Sequence, residues 1–198
     1  MDVSEINALV AARFELSTSL PEIFFATEAE RIAQACWKIA RRFHQGGSLL
    51  AFGNGASATD AQHVAVEFVH PVIVGKRALP ALALTNDSAT LSSLTSGLDS
   101  PFVRQLKVLA RPQDIAMGFS LDGCCPNVIA ALATARALGL LTLGLAGNHA
   151  ELFRRGDLDF SFIVPSTDPF VIQEIHETLY HILWELVHIF FEHEGLLT

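Results

Sequence analysis

The sequence predicts a three-layer α/β sandwich around a parallel sheet of five strands. Apolar runs of strand length recur from residue 49 onward, and segments with helical periodicity separate them. The runs are apolar throughout rather than alternating, which is typical of parallel strands buried on both faces. The 198 residues are enough for one domain with a substantial core. In such a fold we expect ligands at the carboxyl ends of the strands.

The chain is expected to begin with two helices. Residues 3–14 and 21–44 carry apolar side chains at helical spacing, and Pro21 falls at the start of the second segment. The chain then changes to the alternation of strands and helices.

The remaining elements follow in order along the chain. The expected strands are 49–52, 79–84, 114–118, 140–145 and 160–164. The expected helices are 57–69, 89–109 with a break at Pro101, 126–138 and a short one near 149–153. A final long helix is expected from about Pro169 to Glu194, with Pro169 in its first turn and Asp168 as its N-cap.

Composition excludes several classes of protein. The formal net charge is -8, and 13 Lys and Arg residues are spread thinly, which argues against direct nucleic-acid binding. The most apolar block, residues 183–191, is interrupted by Glu185 and His188 and is too short to span a membrane. Three cysteines without metal-type or disulfide spacing favour a reducing compartment. The first residues lack the pattern of an export signal, so we expect a cytoplasmic protein.

A glycine-rich turn, Gly53-Asn54-Gly55-Ala56-Ser57, ends the first strand and opens a helix. Backbone N–H groups at such a turn form a cradle for an anionic group. His63 and Glu67 follow at a spacing of four, which places them on one helix face. The combination indicates a small-molecule site.

The final helix carries a second set of chemically active side chains. Gln173, Glu177 and His181 lie on one stripe of it. With His63 and Glu67, the side chains of Gln173 and His181 supply two imidazoles, one carboxylate and one amide oxygen, a set that suits zinc or a similar divalent ion. Eight histidines in 198 residues also give such spacings by chance, and a lone helical histidine is usually exposed or hydrogen-bonded. Spacing alone leaves both readings open.

A resemblance to a known family makes the motif specific. Residues 53–67, GNGASATDAQHVAVE, resemble the GNGGSAxDAQHxAxE stretch of the bacterial phosphoheptose isomerases, which belong to the sugar isomerase (SIS) domain superfamily. Further similarities follow in order at 79–85, Asp87, 102–105, 126–128, 164–168, 172–176 and His181. The resemblance covers nearly the whole chain.

The resemblance implies an activity and a metal. It implies one zinc, or another divalent metal, per subunit, held by His63, Glu67, Gln173 and His181. It implies conversion of sedoheptulose 7-phosphate to heptose 7-phosphate, by moving a proton between adjacent sugar carbons. Glu67 and His181 would be the acid/base pair.

The resemblance also implies a substrate site and an assembly. The residues that we expect to bind substrate are Asn54, Gly55, Ala56, Ser57, Glu67, Ser120, Asp122, Cys125, Asp168 and Gln173. Residues 1–198 would be a single SIS domain, in which helices within 1–45 pack between subunits and 46–198 form the α/β core. A homotetramer is implied, with each site completed by a neighbouring chain.

Departures from the family pattern concentrate at the phosphate end. Where the family has a Ser-Thr-Ser-Gly-Asn-Ser cradle, residues 120–125 read SLDGCC, and only Ser120 and Gly123 match. Hydroxyls donate to phosphate, whereas a carboxylate is an acceptor of like charge. If Asp122 points inward, its carboxylate would repel a phosphate by about 4 kcal/mol per unit charge at 4 Å with an effective dielectric of 20. The segment 94–99 is shorter than the family pattern by two residues, and 169–171 replace a Thr-Pro-Arg.

Several of these residues have alternative interpretations. Asp122 is equally compatible with capping the helix that starts near Pro126. Cys124 and Cys125 are either small filler residues or thiols made reactive by a helix N-terminus. Glu177 could support a ligand or simply face solvent. The remaining histidines of the last helix, His176, His188 and His193, are interpreted as structural or exposed.

Three functions follow from these alternatives. The first is a metal-dependent aldose–ketose isomerase acting on a sugar phosphate. The second is an isomerase-like enzyme on another polar substrate, uncharged or cationic at its far end, as Asp122 would prefer. The third is a non-catalytic relative that binds a partner, comparable to the SIS-domain protein that binds the bacterial replication initiator. That relative lacks the catalytic carboxylate and imidazole, so the presence of Glu67 and His181 favours an enzyme.

Overall fold

Five parallel strands and the helices around them make up the computed structural model, which describes residues 2–93, 100–150, 153 and 157–197. The strands are β1 (Leu49–Gly53), β2 (Ala81–Ala83), β3 (Ile115–Ser120), β4 (Leu141–Ala146) and β5 (Phe160–Ile163). The helices are α1 (Val3–His44), α2 (Ala56–Val69), α3 (Ser88–Ser93), α4 (Pro101–Leu109), α5 (Pro126–Ala137) and α6 (Pro169–Glu192), with a 3-10 turn at Glu194–Leu196. None of these helices has the length and apolar character that crossing a bilayer requires.

The strand order is β2-β1-β3-β4-β5, and every neighbouring pair is parallel. Leu49 of β1 is in register with Ala81 on one side and with Ile115 on the other. The chain therefore winds outward in one direction through β2 and in the other through β3, β4 and β5. The predicted α/β class and five-stranded parallel sheet are confirmed. This winding creates a topological switch point between β1 and β3, where open α/β sheets bind ligands.

Two apolar cores lie on the two faces of the sheet. One contains α1, α2 and α6, with sheet residues such as Leu49, Ala51 and Phe119. The other contains α4 and α5, with Leu50 and Phe52. Alternate residues of one strand thus enter opposite cores, which explains why the strands are apolar without interruption.

The expectation of two leading helices is wrong. The chain forms one helix of 42 residues, with Pro21 inside it. Proline has no N–H, so the carbonyl four residues earlier loses its partner, but this part of the helix faces solvent and water can replace the bond. Thr18 and Ser19 also turn their hydroxyls onto carbonyls of the preceding turn, those of Phe14 and Glu15. A proline that predicts a helix start in sequence is here tolerated within a helix.

The other predicted helices agree with the structure to within a few residues. The predicted helix 89–109 is found as α3 and α4, and Pro101 begins α4, as the predicted break requires. Asp168 caps α6 as predicted, because its side chain accepts from the N–H groups of Phe170 and Val171. The predicted shortening at 94–99 and part of the predicted helix near 149–153 lie outside the described residues.

Candidate active site

Two loops meet at the switch point. One follows β1 and contains Asn54 and Gly55, and the other joins β3 to α5. The side-chain amides of Asn54 and Asn127, a residue in the first turn of α5, pair with each other through two hydrogen bonds of 2.8 and 2.9 Å. Asn54, a predicted substrate-binding residue, therefore links the two loops across the mouth of the crevice.

The turn into α2 depends on its glycines. Gly55 precedes α2 with a φ of +56°, a value that side chains other than glycine rarely adopt. A Cβ on Gly53 would lie 2.5 Å from the Ser57 carbonyl oxygen, so this turn closes only over glycine. The packing buries Ser57, whereas Asn54, Gly55 and Ala56 remain exposed at the mouth. Of the four predicted contacts in this turn, three are accessible to a ligand.

A cluster of three potential ligands lies about two to three turns further along α2, beside α6. His63, Glu67 and His181 each offer one ligand atom, and these atoms lie within 4.8 Å of one another. His63 Nε2 is 3.3 Å from a carboxylate oxygen of Glu67, and the rings of His63 and His181 are 5.1 Å apart. Side chains 114 residues or more apart in the sequence, on α2 and α6, are thus brought together as the sequence predicts. Their spacing is suited to a single ion.

The opposite edge of the His63 ring faces Tyr180 and Glu177. The Tyr180 hydroxyl is 2.8 Å from His63 Nδ1, and a carboxylate oxygen of Glu177 is 3.6 Å from the same atom. If Nδ1 carries the proton and donates it to this side, Nε2 is left with a free lone pair facing Glu67 and His181. Burial, with the carboxylates of Asp60, Glu177 and Glu67 nearby, raises the pKa of Tyr180, so it stays a neutral phenol.

Gln173 of α6 contacts the first turns of α2 through its amide nitrogen. Its Nε2 donates to a carboxylate oxygen of Asp60 at 3.1 Å and lies 3.3 Å from the Ala56 carbonyl and 3.4 Å from the Thr59 hydroxyl. With the nitrogen directed to the start of α2, the amide oxygen is the atom of Gln173 that could reach an ion. Its assignment as a ligand stays a prediction.

Asp60 is buried behind this site, with only 3% of its surface exposed. One carboxylate oxygen accepts from Gln173, and the other has no hydrogen-bond partner within the described part of the chain. Burial raises the pKa of Asp60 to about 6, and the Gln173 hydrogen bond partly opposes that shift.

The turn between β3 and α5 is closed by Asp122. Its Oδ1 accepts from the Ser120 hydroxyl at 3.0 Å and from the Cys124 N–H at 2.9 Å, and the Cys125 sulfur is 3.7 Å away. The N-cap residue of α5 is Cys125, which makes no side-chain capping bond. Asp122 therefore binds donors of its own turn, and the alternative in which it caps α5 is not what the structure has.

Asp168 is also occupied within the chain. One oxygen caps α6 and the other forms an ion pair of 2.6 Å with Arg13 of α1. Hydrogen bonds from Val171 and Phe170 and the ion pair with Arg13 lower the pKa of Asp168. The structure thus gives Asp168 a role in joining α1 to α6, and its predicted contact with substrate stays untested.

Asp60 and Tyr180 are the residues that sequence reasoning missed. Asp60 lies three residues before His63 on the same face of α2, and Tyr180 is the only tyrosine of the chain and precedes His181. These positions are visible in the sequence. Their contacts, Asp60 with Gln173 and Tyr180 with His63, depend on how α2 packs on α6.

Comparison with known proteins places these features in a family context. The family model of the SIS domain matches residues 14–147. A phosphoheptose isomerase of Solidesulfovibrio magneticus is 41% identical over 187 residues, which cover 93% of this chain and 91% of that protein. One from Aquifex aeolicus is 38% identical over 176 residues, covering 88% and 92%.

Solved structures give the same result. The phosphoheptose isomerase of Neisseria gonorrhoeae superposes with a TM-score of 0.83 at 29% identity, covering 92% of this chain and 98% of that one. The enzyme of Francisella tularensis gives a TM-score of 0.81 at 27% identity, covering 94% and 98%.

Proposed function

The chain belongs to the phosphoheptose isomerase family of SIS domain proteins, and we propose from this that it is a metal-dependent aldose–ketose isomerase acting on a sugar phosphate. The reaction that we propose is the interconversion of sedoheptulose 7-phosphate and heptose 7-phosphate. The observation that carries the proposal is the convergence of His63 and Glu67 of α2 with His181 of α6.

The residues present fit a divalent metal ion. Two imidazoles and a carboxylate are a donor set that zinc takes in catalytic sites, where one coordination position stays open for water or substrate. His63 is already oriented for this purpose, since Tyr180 and Glu177 both face its Nδ1. Gln173 would complete the set through its amide oxygen. Zinc or a similar ion bound there would polarise a sugar carbonyl and stabilise the negative charge that develops beside it.

The proton transfer is assigned to Glu67 and His181. An aldose and its ketose differ by one proton moved between adjacent carbons and one moved between their oxygens. A carboxylate and an imidazole side by side can take and return these protons. Glu67 has two oxygens, so one can remain directed at the cluster while the other reaches the substrate. The partial burial of Glu67, with its side chain 12% exposed, limits competition by water.

The assembly is proposed to be a homotetramer with sites at subunit interfaces. The projecting first half of α1 exposes apolar side chains that a neighbouring chain could cover, namely Val3, Ile6, Leu9, Val10, Phe14, Leu16 and Ile23. His181 is exposed in the single chain, which leaves room for a neighbour to close the site. The three cysteines are unpaired, consistent with the proposed cytoplasmic location.

Metal analysis and turnover of sedoheptulose 7-phosphate test the function together. We expect about one divalent ion per chain in the purified or zinc-reconstituted protein, and loss of that ion in Glu67→Ala and His181→Ala. Glu67→Gln, which keeps the shape of the side chain, should lower kcat by about 10²- to 10⁴-fold. Glu185→Gln, an exposed position on α6, is the matched control and should behave as the unmodified protein.

Two outcomes would contradict the proposal. One is the absence of bound metal after reconstitution, and the other is full activity of Glu67→Gln.

A second candidate function is the same proton transfer on a sugar without a phosphate at its far end. One observation favours it, namely the position of Asp122 in the turn between β3 and α5.

A further inference from the structure

We propose that a cavity at the amino edge of the sheet is a second binding site, for a small molecule that carries a phosphate group. The cavity has a volume of about 420 Å³. Its lining comes from the last turns of α1 and from the starts of β4 and β5, and includes Trp37, Lys38, Arg41, Arg42, Leu141 and Asp159. The loops of the candidate active site follow the opposite, carboxyl ends of β1 and β3. The proposal therefore goes beyond the isomerase function and does not depend on it.

Three cations meet at this cavity without an acidic partner. Lys38, Arg41 and Arg42 fall within five consecutive residues of α1, and no ion pair joins any of them to another residue that the structure describes. The chain as a whole has a formal net charge of -8, so the positive charge here runs against the overall balance. The dipole of α1 favours the cations of its last turn, Arg41 and Arg42, but does not account for Lys38. Like charges gathered in this way are stabilised when an anion binds between them.

Among the described residues that line the cavity there is one carboxylate, and it is already engaged. Oδ2 of Asp159 accepts from the N–H and from the hydroxyl of Thr142, each at 2.9 Å. Asp159 is thereby tied to the start of β4. Three cations and one carboxylate leave an excess of two positive charges at the cavity, which a phosphate dianion would balance.

Contacts with aromatic rings hold two of the cations in place. The guanidinium carbon of Arg41 lies 4.8 Å from the centre of the Trp37 ring, and the ammonium nitrogen of Lys38 lies 5.1 Å from the centre of the Phe160 ring. An aromatic ring orients a cation without neutralising it, because the ring has no net charge. Both side chains therefore keep their charge for a ligand and lose less conformational freedom when it binds.

Arg41 also has a donor that lacks a partner. Its Nε is buried and makes no hydrogen bond within the described part of the chain. Arg42, by contrast, already donates to the backbone carbonyls of Pro112 and Gly139. Buried donors in folded proteins nearly always have a partner, so an unpaired one indicates a missing acceptor. A phosphate group fits this requirement, because two of its oxygens can accept from a single guanidinium.

The shape of the site favours a small molecule over a macromolecule. A volume of about 420 Å³ lies in the range of pockets that hold small ligands. Proteins that bind nucleic acids present basic side chains along an extended face, whereas the cations here are confined to one recess of an acidic chain. A phosphate ion would fill only a small part of this volume, which leaves space for an organic group attached to it.

Nuclear magnetic resonance of the indole N–H groups can locate the binding, because the chain has two tryptophans and each lies near a different site. Trp37 lines the cavity, and Trp184 donates to the Glu67 carbonyl beside the candidate active site. With inorganic phosphate or adenosine monophosphate as the probe, we expect the Trp37 signal of the unmodified protein to shift and to saturate. Tighter binding of adenosine monophosphate would support the site with a phosphate ester as its ligand, and tighter binding of phosphate would support it with the free ion.

Variants of the cations test whether the cavity holds the probe. Arg41→Gln and Lys38→Gln should each weaken the binding seen at Trp37 by about 10-fold or more, because each removes a charge-assisted hydrogen bond. Lys107→Gln, at an exposed position of α4, is the matched control and should leave the affinity unchanged. The Trp184 signal reports in each variant that the fold is intact. A Trp37 signal that neither probe moves, or equal affinities in the unmodified protein and both variants, would overturn the inference.

Discussion

The imidazole of His176 lies entirely inside the protein, packed against the ring of Phe119 with centroids 6.1 Å apart. Neither ring nitrogen has a hydrogen-bond partner among the residues that the structure describes. Burial lowers the pKa of His176 to about 4, and the Ala146 backbone opposes this shift in small part. The folded protein therefore holds this histidine in its neutral form.

Acid should destabilise the protein through His176. In the unfolded chain the imidazole takes a proton below its ordinary pKa of 6.5, whereas in the folded protein it does so only below about 4. Between these values the unfolded state binds more protons, so the free energy of unfolding falls as pH decreases, by about 3 kcal/mol in total. We expect His176→Leu to remove this part of the dependence in urea unfolding measured from pH 7 to pH 4, and to stay within about 1 kcal/mol of the unmodified protein at pH 7.

His70→Leu serves as the control for this measurement, because His70 is exposed. His70→Leu should retain the full dependence of the free energy of unfolding on pH. A His176→Leu protein whose free energy of unfolding falls as steeply with acid as that of the unmodified chain would show that the imidazole is not held neutral.

The convergence of His63, Glu67 and His181 was predictable from sequence. His63 and Glu67 are close because the helical repeat puts them on one face, and the motif resemblance links them to His181. The orientation of Asp122 was not predictable, since capping α5 and closing its own turn are both available to an aspartate four residues before the first residue of a helix. In the structure the backbone turns at Gly123, which has a φ of +66°, and the Cys124 N–H donates to Asp122.

Among the helices, α1 contains the least regular position. Pro21 removes one backbone hydrogen bond in the middle of the 42 residues, and in an exposed helix interior proline costs roughly 3 kcal/mol relative to alanine. The proline also restricts the conformations of the unfolded chain, and this effect offsets the cost in the helix by about 0.4–1 kcal/mol.

Pro21→Ala should therefore stabilise the protein by about 2–2.6 kcal/mol, since both halves of α1 are attached to α6, the first half through Arg13. We expect Tm to rise by about 4–10 °C in thermal unfolding followed by circular dichroism. Glu22→Ala, at the next position, should shift Tm by much less. A fall in Tm for Pro21→Ala would mean that the bend at Pro21 is required for packing.

The comparison of α1 with α6 shows when helix boundaries can be predicted. Asp168 and Pro169 form a cap and a first turn whose geometry no other local structure satisfies as well, and α6 begins there. Pro21 has serine and threonine residues shortly before it, at 17–19, but Leu20 directly precedes it and the preceding segment is already helical. A helix start and a tolerated interior proline have similar local sequences, and tertiary contacts of the first half decide between them.

At the scale of the whole molecule, the exposed apolar face of α1 predicts that copies of the chain associate with one another. Phe14 is 69% exposed in the single chain. An apolar aromatic ring of this size is more stable when it is buried than when it is in contact with water. Burial of such side chains between copies would stabilise an oligomer by about 1.5–3 kcal/mol for each ring or aliphatic group fully covered.

Phe14→Asp should dissociate the proposed tetramer. In size-exclusion chromatography with light scattering, the unmodified protein should give about four times the 21.5 kDa mass of one chain, and Phe14→Asp a smaller species. Isomerase activity should fall with it if a neighbour completes each site. Val108→Asp, which places the same charge at a residue of α4 that is 79% exposed, should leave the assembly intact. A monomeric unmodified protein, or a tetrameric Phe14→Asp variant, would contradict the assignment of this face.

The alternation of apolar strands with helices predicts the parallel sheet because only a buried sheet tolerates strands such as Leu49–Gly53 without a polar residue. The order of the strands is not contained in that pattern. It depends on which face each connecting helix covers, and the placing of α2 with α1 and α6 on one face is what brings Glu67 to His181.

The reciprocal pair of Asn54 and Asn127 has a consequence for how a sugar enters. Each amide gives one hydrogen bond and receives one, and every hydroxyl of a polyol can do the same. A sugar that slides between the two loops can therefore trade partners with both amides without leaving any group unmatched. The pair can therefore open for a carbohydrate and close again after it leaves, with each amide keeping one donated and one accepted hydrogen bond throughout.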